Sequence, residues 1–159
     1  DGPVLVIENR MLFYEEEDVP EGEWVVPLGE AEVVREGQDL TVVALGYTRR
    51  KVMAAAARLE GEVSVEVIDP RTIVPLDMAT IAASVRKTGR LLVVHEAPTR
   101  NGAGAEIVRR VVAECFDYLD SPPQVLGGAD LPIPFSPALE AACIPQVDTI
   151  IAAIHAVYP

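Results

Sequence analysis

A chain of 159 residues, half of them hydrophobic, has the size of one domain and enough apolar side chain for a core. Its 25 acidic and 13 basic residues give a net charge of −12. That balance argues against nucleic acid and anionic membranes as partners, since both demand clustered Lys and Arg, and leaves a basic protein as a suitable one.

Cys115 and Cys143 are too few for a disulfide framework and lack metal-type spacing. Cys115 falls on the apolar face of an expected helix and reads as a reduced core thiol. No apolar run approaches the roughly 18–20 residues of a membrane span, and no signal peptide is visible. A cytoplasmic, reducing setting follows as the expectation.

In chain order, "PVLVIE" reads as a buried strand at the very start. A buried strand there needs neighbours, which suggests a piece of a longer protein. "NRMLFYEEEDVPEGEWVVPLGEAE" mixes acids, Pro and Gly without a period and reads as a linker anchored by Leu12, Phe13, Tyr14 and Trp24. Its acidic run, Glu15–Asp18, reads as a solvated loop. The division expected is 1–29 as tail and linker, and 30–159 as the main domain.

"AEVVREG" is a short strand and "DLTVVALG" a strand buried on both faces. "YTRRKVMAAAARLEG" is a helix with Val52, Met53, Ala56 and Leu59 on one side and Gly61 as its stop. "VSVEVIDP" is the next strand and "RTIVPLD" a loop. Asp77 caps a helix whose Ile81, Ala82 and Val85 share a face. "RLLVVHE" is a strand. The long helix after it places Ile107, Val108, Val111, Val112, Cys115, Phe116 and Leu119 inward, and Glu106, Arg109, Arg110, Glu114 and Asp117 outward. "PQVLGGAD" is a last strand, "LPIPFSPALEAACIP" a Pro-rich crossing with a short helix, and "QVDTIIAAIHAVY" a closing helix with Val147, Ile150, Ile151, Ile154 and Val157 inward. Strands alternating with helices give an α/β fold of three layers, α/β/α, around a mostly parallel sheet.

The loop between "RLLVV" and the long helix raises three possibilities. Gly102-Ala103-Gly104 resembles part of a dinucleotide loop, but Ile107 stands where the third glycine belongs, and no acid follows at a second strand end. A tight turn of small residues is the simpler reading. His95 and Glu96 end a strand, where α/β ligand sites form, and a His/Glu pair can do general-base work. Neighbours on a strand point to opposite faces, however, so the pair does not converge on one atom. A His at a sheet edge, or at a subunit interface, is favoured. His155 follows an apolar helix position and reads as exposed or half-buried structure. Asp69, Arg71 and Asp77 look like turn and capping residues. Arg71 is able to bind an anion, but nothing in the sequence establishes it.

Long collinear stretches carry a resemblance: "VIENRMLFY", "VPEGEWVVPLGEAEVVREGQDLTVVALG", "VEVIDPRTIVPLD", "SVRKTGRLLVVHEAP", "GAGAEI" and "PIPFSPALEAACIP". Together they resemble the C-terminal part of the β subunit of thiamine-diphosphate-dependent 2-oxo acid dehydrogenases, the E1 component, whose C-terminal unit is a transketolase C-terminal domain. The resemblance implies that residues 1–29 are the tail of a pyrimidine-binding domain plus linker. It implies that thiamine diphosphate and Mg²⁺ are held elsewhere, by that preceding domain and by an α subunit. No catalytic, cofactor-binding or metal-binding residue is carried onto this chain, and the segment alone is expected to be inactive. The implied partners are an E1 α subunit, a second β subunit, and the basic peripheral subunit-binding domain of the E2 acyltransferase. His95, Glu96, Glu114, Asp117 and Asp120 are the interface candidates, the last three for E2. A solvated helix end explains those three acids equally well. The basic start of "GYTRRKVM" departs from the family pattern. The substrate stays open among pyruvate, acetoin and branched-chain 2-oxo acids. Rival readings are another thiamine enzyme of transketolase or deoxyxylulose-phosphate synthase type, and a stand-alone nucleotide-binding or regulatory module.

Overall fold

In this computed structural model every residue is described except Asp1, Val4, Glu15 and Glu17. Five strands form one sheet: β1 (Glu32–Arg35), β2 (Leu40–Ala44), β3 (Val65–Asp69), β4 (Leu91–Pro98) and β5 (Gln124–Gly128). Their order is β1-β3-β2-β4-β5. β2 runs parallel to β3 and β4, and β4 parallel to β5; β1 alone is antiparallel, along β3. The central strand β2, "LTVVA", is buried at every residue. That is the expected signature of a parallel strand covered on both faces.

Helices α1 (Thr48–Arg58), α2 (Met78–Thr88), α3 (Ala103–Cys115), α4 (Pro137–Cys143) and α5 (Val147–Val157) complete the domain. Alternation along each strand divides the core in two. Leu40, Val42, Ala44, Val65, Val67, Leu92 and Val94 pack with Val52, Ala56 and Leu59 of the α1 region and Ile150, Ile154 and Val157 of α5. Val43, Ile68, Leu91 and Val93 pack with Ile81, Ala82 and Val85 of α2 and Ile107, Val111 and Cys115 of α3. The three-layer α/β/α arrangement expected from the sequence is therefore present. Asp77 caps α2 by accepting from the Thr80 N–H at 3.0 Å, and Gly89 ends it in the left-handed region at φ 69°.

Three local expectations are corrected. Leu5, Val6 and Ile7 form no strand and are exposed, because no strand among the described residues lies beside them; Val4 falls outside the described residues. Leu12, Phe13, Tyr14 and Trp24 do not anchor the linker, since all four stay exposed. The segment is tethered by polar contacts instead: Asn9 donates to Glu96, and the Gly29 N–H to Thr72. Phe116 is not a core residue, and Val112, also expected inward, is exposed. α3 tightens into a 3-10 turn at Phe116–Tyr118, which rotates Phe116 outward to 70% exposure. Of the acidic run, Glu16 and Asp18 are exposed, while Glu15 and Glu17 lie outside the described residues.

Pro137–Val157 is apolar enough, by length and composition alone, to cross a membrane. This was not anticipated from the sequence. It is two helices, α4 and α5, broken at Ile144–Gln146, and Ile150, Ile154 and Val157 of α5 are core residues. At 7 and 11 residues neither helix reaches the ~30 Å of a bilayer core.

Candidate assembly and docking surfaces

His95 sits near the carboxyl end of β4, an interior strand, and is only 3% exposed. Its ring faces the start of α3. A Cβ placed on Gly102 would lie 2.7 Å from His95 Cε1, and one on Gly104 would lie 2.6 Å from Nε2 and 2.8 Å from Val125 Cγ1. The glycines are small because the imidazole occupies the space beside them. The loop is a packing device, and the ring fills ground that a nucleotide phosphate would need. Neither ring nitrogen has a hydrogen-bond partner among the described residues. Burial holds the imidazole below its ordinary pKa of 6.5, partly offset by the nearby Ala97 backbone, which falls short of a well-formed hydrogen bond. The positive end of α3 also disfavours a cation there. His95 thus shapes the strand end from within and does not reach solvent.

Glu96 points to the other face, as alternation requires. Its carboxylate accepts from Asn9 Nδ2 at 2.8 Å and contributes to the field at Lys51. Burial nevertheless holds the Lys51 ammonium below its ordinary range, against the pull of Glu96 and Glu140. The carboxyl edge around Glu96 is apolar and open. Ile73 and Val74 from the β3–α2 loop, Leu131, Ile133 and Phe135 from the β5–α4 loop, and Leu139 of α4 are all exposed. Large exposed patches of this kind mark interaction sites. The Pro-rich spacing of "LPIPFSP" was the sequence signal for this loop, but outward projection of its apolar residues is a tertiary fact.

Glu114, Asp117 and Asp120 lie at the opposite edge, where α3 ends beside the start of β4, and all three are exposed. Phe116 and Tyr118 are exposed between them. Arg86 stacks on Tyr118, 5.6 Å from its centroid. Asp120 has a structural task as well. Its N–H donates to the Gly89 carbonyl at 2.8 Å, and its carboxylate is 3.5 Å from Arg90 Nη1. Glu114 and Asp117 carry no such duty among the described contacts, so the acidic end divides into one fastened residue and two outward ones.

Sequence reasoning missed Glu66. It lies on β3, 1% exposed, where an alternating strand places a glutamate in the α2 layer. Its carboxylate accepts from Lys87 Nζ and from the Gly37 N–H. Burial raises its pKa, but these bonds outweigh burial and hold it below the usual carboxylate range. Among the described residues, no group of three His, Cys, Asp or Glu is placed to hold a metal.

These features define the class. Residues 29–150 match the transketolase C-terminal domain, and the chain belongs to that family. Over almost all of its length it is also similar to pyruvate dehydrogenase E1 component β subunits. The Rhizobium meliloti (strain 1021) protein is 40% identical over 157 residues, covering 98% of this chain and 34% of that relative. A mitochondrial β-2 subunit from Oryza sativa subsp. japonica is 43% identical over 156 residues, covering 95% of this chain and 42% of the relative. The chain therefore spans about a third to a half of the length of these relatives. Among solved structures, a split-gene transketolase described as an inactive β4 tetramer superimposes with a TM-score of 0.72 at 27% identity, over 90% of this chain and 45% of that one. A 2-oxoglutarate:ferredoxin oxidoreductase from Magnetococcus marinus shares the fold, with a TM-score of 0.51 at 18% identity over 80% of this chain and 19% of that one.

Proposed function

We propose that this chain is the assembly and docking domain of the β subunit of a 2-oxo acid dehydrogenase E1 enzyme. The intact enzyme would decarboxylate a 2-oxo acid with thiamine diphosphate as electron sink and pass the acyl group to a lipoyl-bearing E2. Similarity to pyruvate dehydrogenase β subunits across nearly the whole chain carries this reading and favours pyruvate among the substrates. Residues 1–29 are then the tail of the preceding domain with its linker. The bacterial and mitochondrial relatives suit a cytoplasmic or matrix setting.

The residues present do not suit the cofactor. No metal-binding cluster stands among the described residues, and the Gly102 loop is filled by His95. On this reading thiamine diphosphate and Mg²⁺ are held by the preceding domain and an α subunit, and this segment works by contact. The apolar carboxyl edge, with Phe135 at its tip and Glu96 within it, serves the α and second β subunits. The acidic and aromatic end of α3 serves the basic E2 domain, whose Lys and Arg would meet Glu114 and Asp117 around Phe116 and Tyr118.

Charge reversal tests the docking half. Glu114→Lys with Asp117→Lys leaves the Asp120 tie intact, so the fold survives. Complex formation with a basic E2 subunit-binding domain should weaken at least about tenfold, and the unaltered pair should weaken as salt rises from about 50 to 500 mM. Binding indifferent to both salt and reversal would move docking elsewhere.

A further inference from the structure

Two neighbouring strands of this sheet send their helices to opposite faces. β2 leads into α1, which packs on the Val42 and Val94 side, and β4 leads into α3, which packs on the Val43 and Val93 side. In an open α/β sheet such a divergence leaves a crevice outside the carboxyl ends of the two strands, and ligands settle there. Here a side chain of the N-terminal segment occupies it. Asn9 Nδ2 donates to Glu96 Oε2 at 2.8 Å, at the end of β4. On the other side lies Gly46, just past β2, where an added Cβ would stand 4.0 Å from Asn9 Cβ.

Asn9 is distinct within its segment. Every other described residue from 2 to 28 is exposed. Its Oδ1 accepts from the Met11 N–H at 2.9 Å, and its carbonyl from the Leu12 N–H at 3.1 Å. The turn that opens the 3-10 helix Arg10–Tyr14 is therefore built on the residue that meets Glu96.

Glu96 has a second cationic or amide donor nearby. Lys51 Nζ donates to the Pro145 carbonyl at 2.9 Å and lies 5.7 Å from the centroid of the Tyr47 ring. Of its three N–H donors, one makes that bond, and none reaches a carboxylate among the described residues. Glu96 exerts the stronger of the two carboxylate pulls on this ammonium. A carboxylate freed from an amide gains by turning to an ammonium, because the bond to a charged donor is the stronger one.

We propose that the Asn9–Glu96 contact is a clasp that closes the crevice with the chain's own N-terminal segment, and that Glu96 trades Asn9 for Lys51 when the segment lifts. Two arrangements follow. In the closed one, Asn9 covers the ends of β2 and β4. In the open one the crevice is bare, and the Glu96–Lys51 pair satisfies the carboxylate. Lifting the segment also returns conformational freedom to its residues, so the two states lie close in free energy.

Two chemical readouts on the 159-residue chain, both followed by mass spectrometry, test the two halves. The first is trypsin cleavage after Arg10, which tracks opening of the turn. Asn9→Ala and Glu96→Ala should each speed that cut at least about tenfold, while far-UV circular dichroism stays unchanged. Glu96→Ala leaves the turn's own bonds to Met11 and Leu12 in place, so its effect belongs to the clasp and not to the turn. The second readout is acetylation of Lys51 by acetic anhydride, with Lys87, the only other lysine in the sequence, as internal reference. In Asn9→Ala the freed carboxylate should protect Lys51 and lower its acetylation about threefold relative to Lys87. Adding Glu96→Ala should abolish that protection. A merely loosened segment would expose Lys51 and speed its acetylation instead. Cleavage unchanged by Glu96→Ala would overturn the clasp, and Lys51 acetylation unchanged or faster in Asn9→Ala would overturn the exchange. The clasp needs no residue outside this chain, so its failure leaves the assembly reading standing, and the reverse holds as well.

Discussion

Gly104 is the residue on which the most geometry rests. Alanine is better than glycine within a helix by about 1 kcal/mol. Against that, the new methyl would meet His95 on one side and Val125 on the other, and overpacking costs about 1–3 kcal/mol. Contact on both sides places the cost at the upper end. Gly104→Ala should therefore lose about 2 kcal/mol in urea unfolding, and a gain in stability would refute the packing account. His95 makes a second expectation. Its folded pKa lies below the ordinary 6.5, so the unfolded chain takes up the proton first as pH falls. Its contribution to stability is complete above about pH 6.5 and is lost as pH drops toward the folded value. His95→Leu should flatten that part of the curve in a series of denaturation midpoints from pH 7.5 down to about 5. An unchanged slope would mean that other groups carry it. The meeting of His95 with Gly102 and Gly104 could not be read from the sequence, where strand end and glycines look like separate signals. Only the return of α3 over β4 brings them together.

At the scale of elements, the β3–α2 contact is held by an ion pair, buried on its Glu66 side, where most of the layer is aliphatic. Thr41 of β2 adds hydroxyl bonds to Ser84 and Thr88 of α2 at 2.6 and 2.7 Å. Lys87→Met would strand the Glu66 carboxylate, which costs several kcal/mol for a fully enclosed pair. Lys87 is one-third exposed, so solvent reaches its side of the pair and a loss of about 2–3 kcal/mol is expected. Adding Glu66→Leu should return part of that loss, and a double variant no better than Lys87→Met would show that the charge was not the problem. The helices and central strands were readable because burial on both faces writes a continuous apolar run in β2 and a regular stripe in α1, α2 and α5. Phe116 was misplaced because a helical period continues past Cys115 in the sequence while the backbone tightens there. "PVLVIE" was misplaced because strand composition says nothing about whether a partner strand is at hand.

For the whole molecule, the distribution of surface decides the role. The core is closed around the sheet, yet the N-terminal segment, the 131–139 stretch and the end of α3 leave large apolar side chains in water. Phe135 is fully exposed at the tip of the carboxyl edge. Phe135→Asp should leave the melting temperature of the chain within about 2 °C and reduce co-purification with an E1 α subunit. A large drop in melting temperature would instead make Phe135 part of the fold. None of this was readable as exposure in the sequence, because an apolar residue bound for a partner and one bound for the core look alike on paper.

The parallel run of β4 has a consequence for how partners coexist. Its eight residues span about 26 Å, with the apolar rim at one end and the acidic end of α3 at the other. At physiological ionic strength a charge is screened within about 8 Å. The sheet is therefore a spacer longer than the reach of its own electrostatics. On the proposed reading, a subunit seated on the rim would neither block nor repel a basic domain arriving at the far end, and each site would fill or empty on its own schedule.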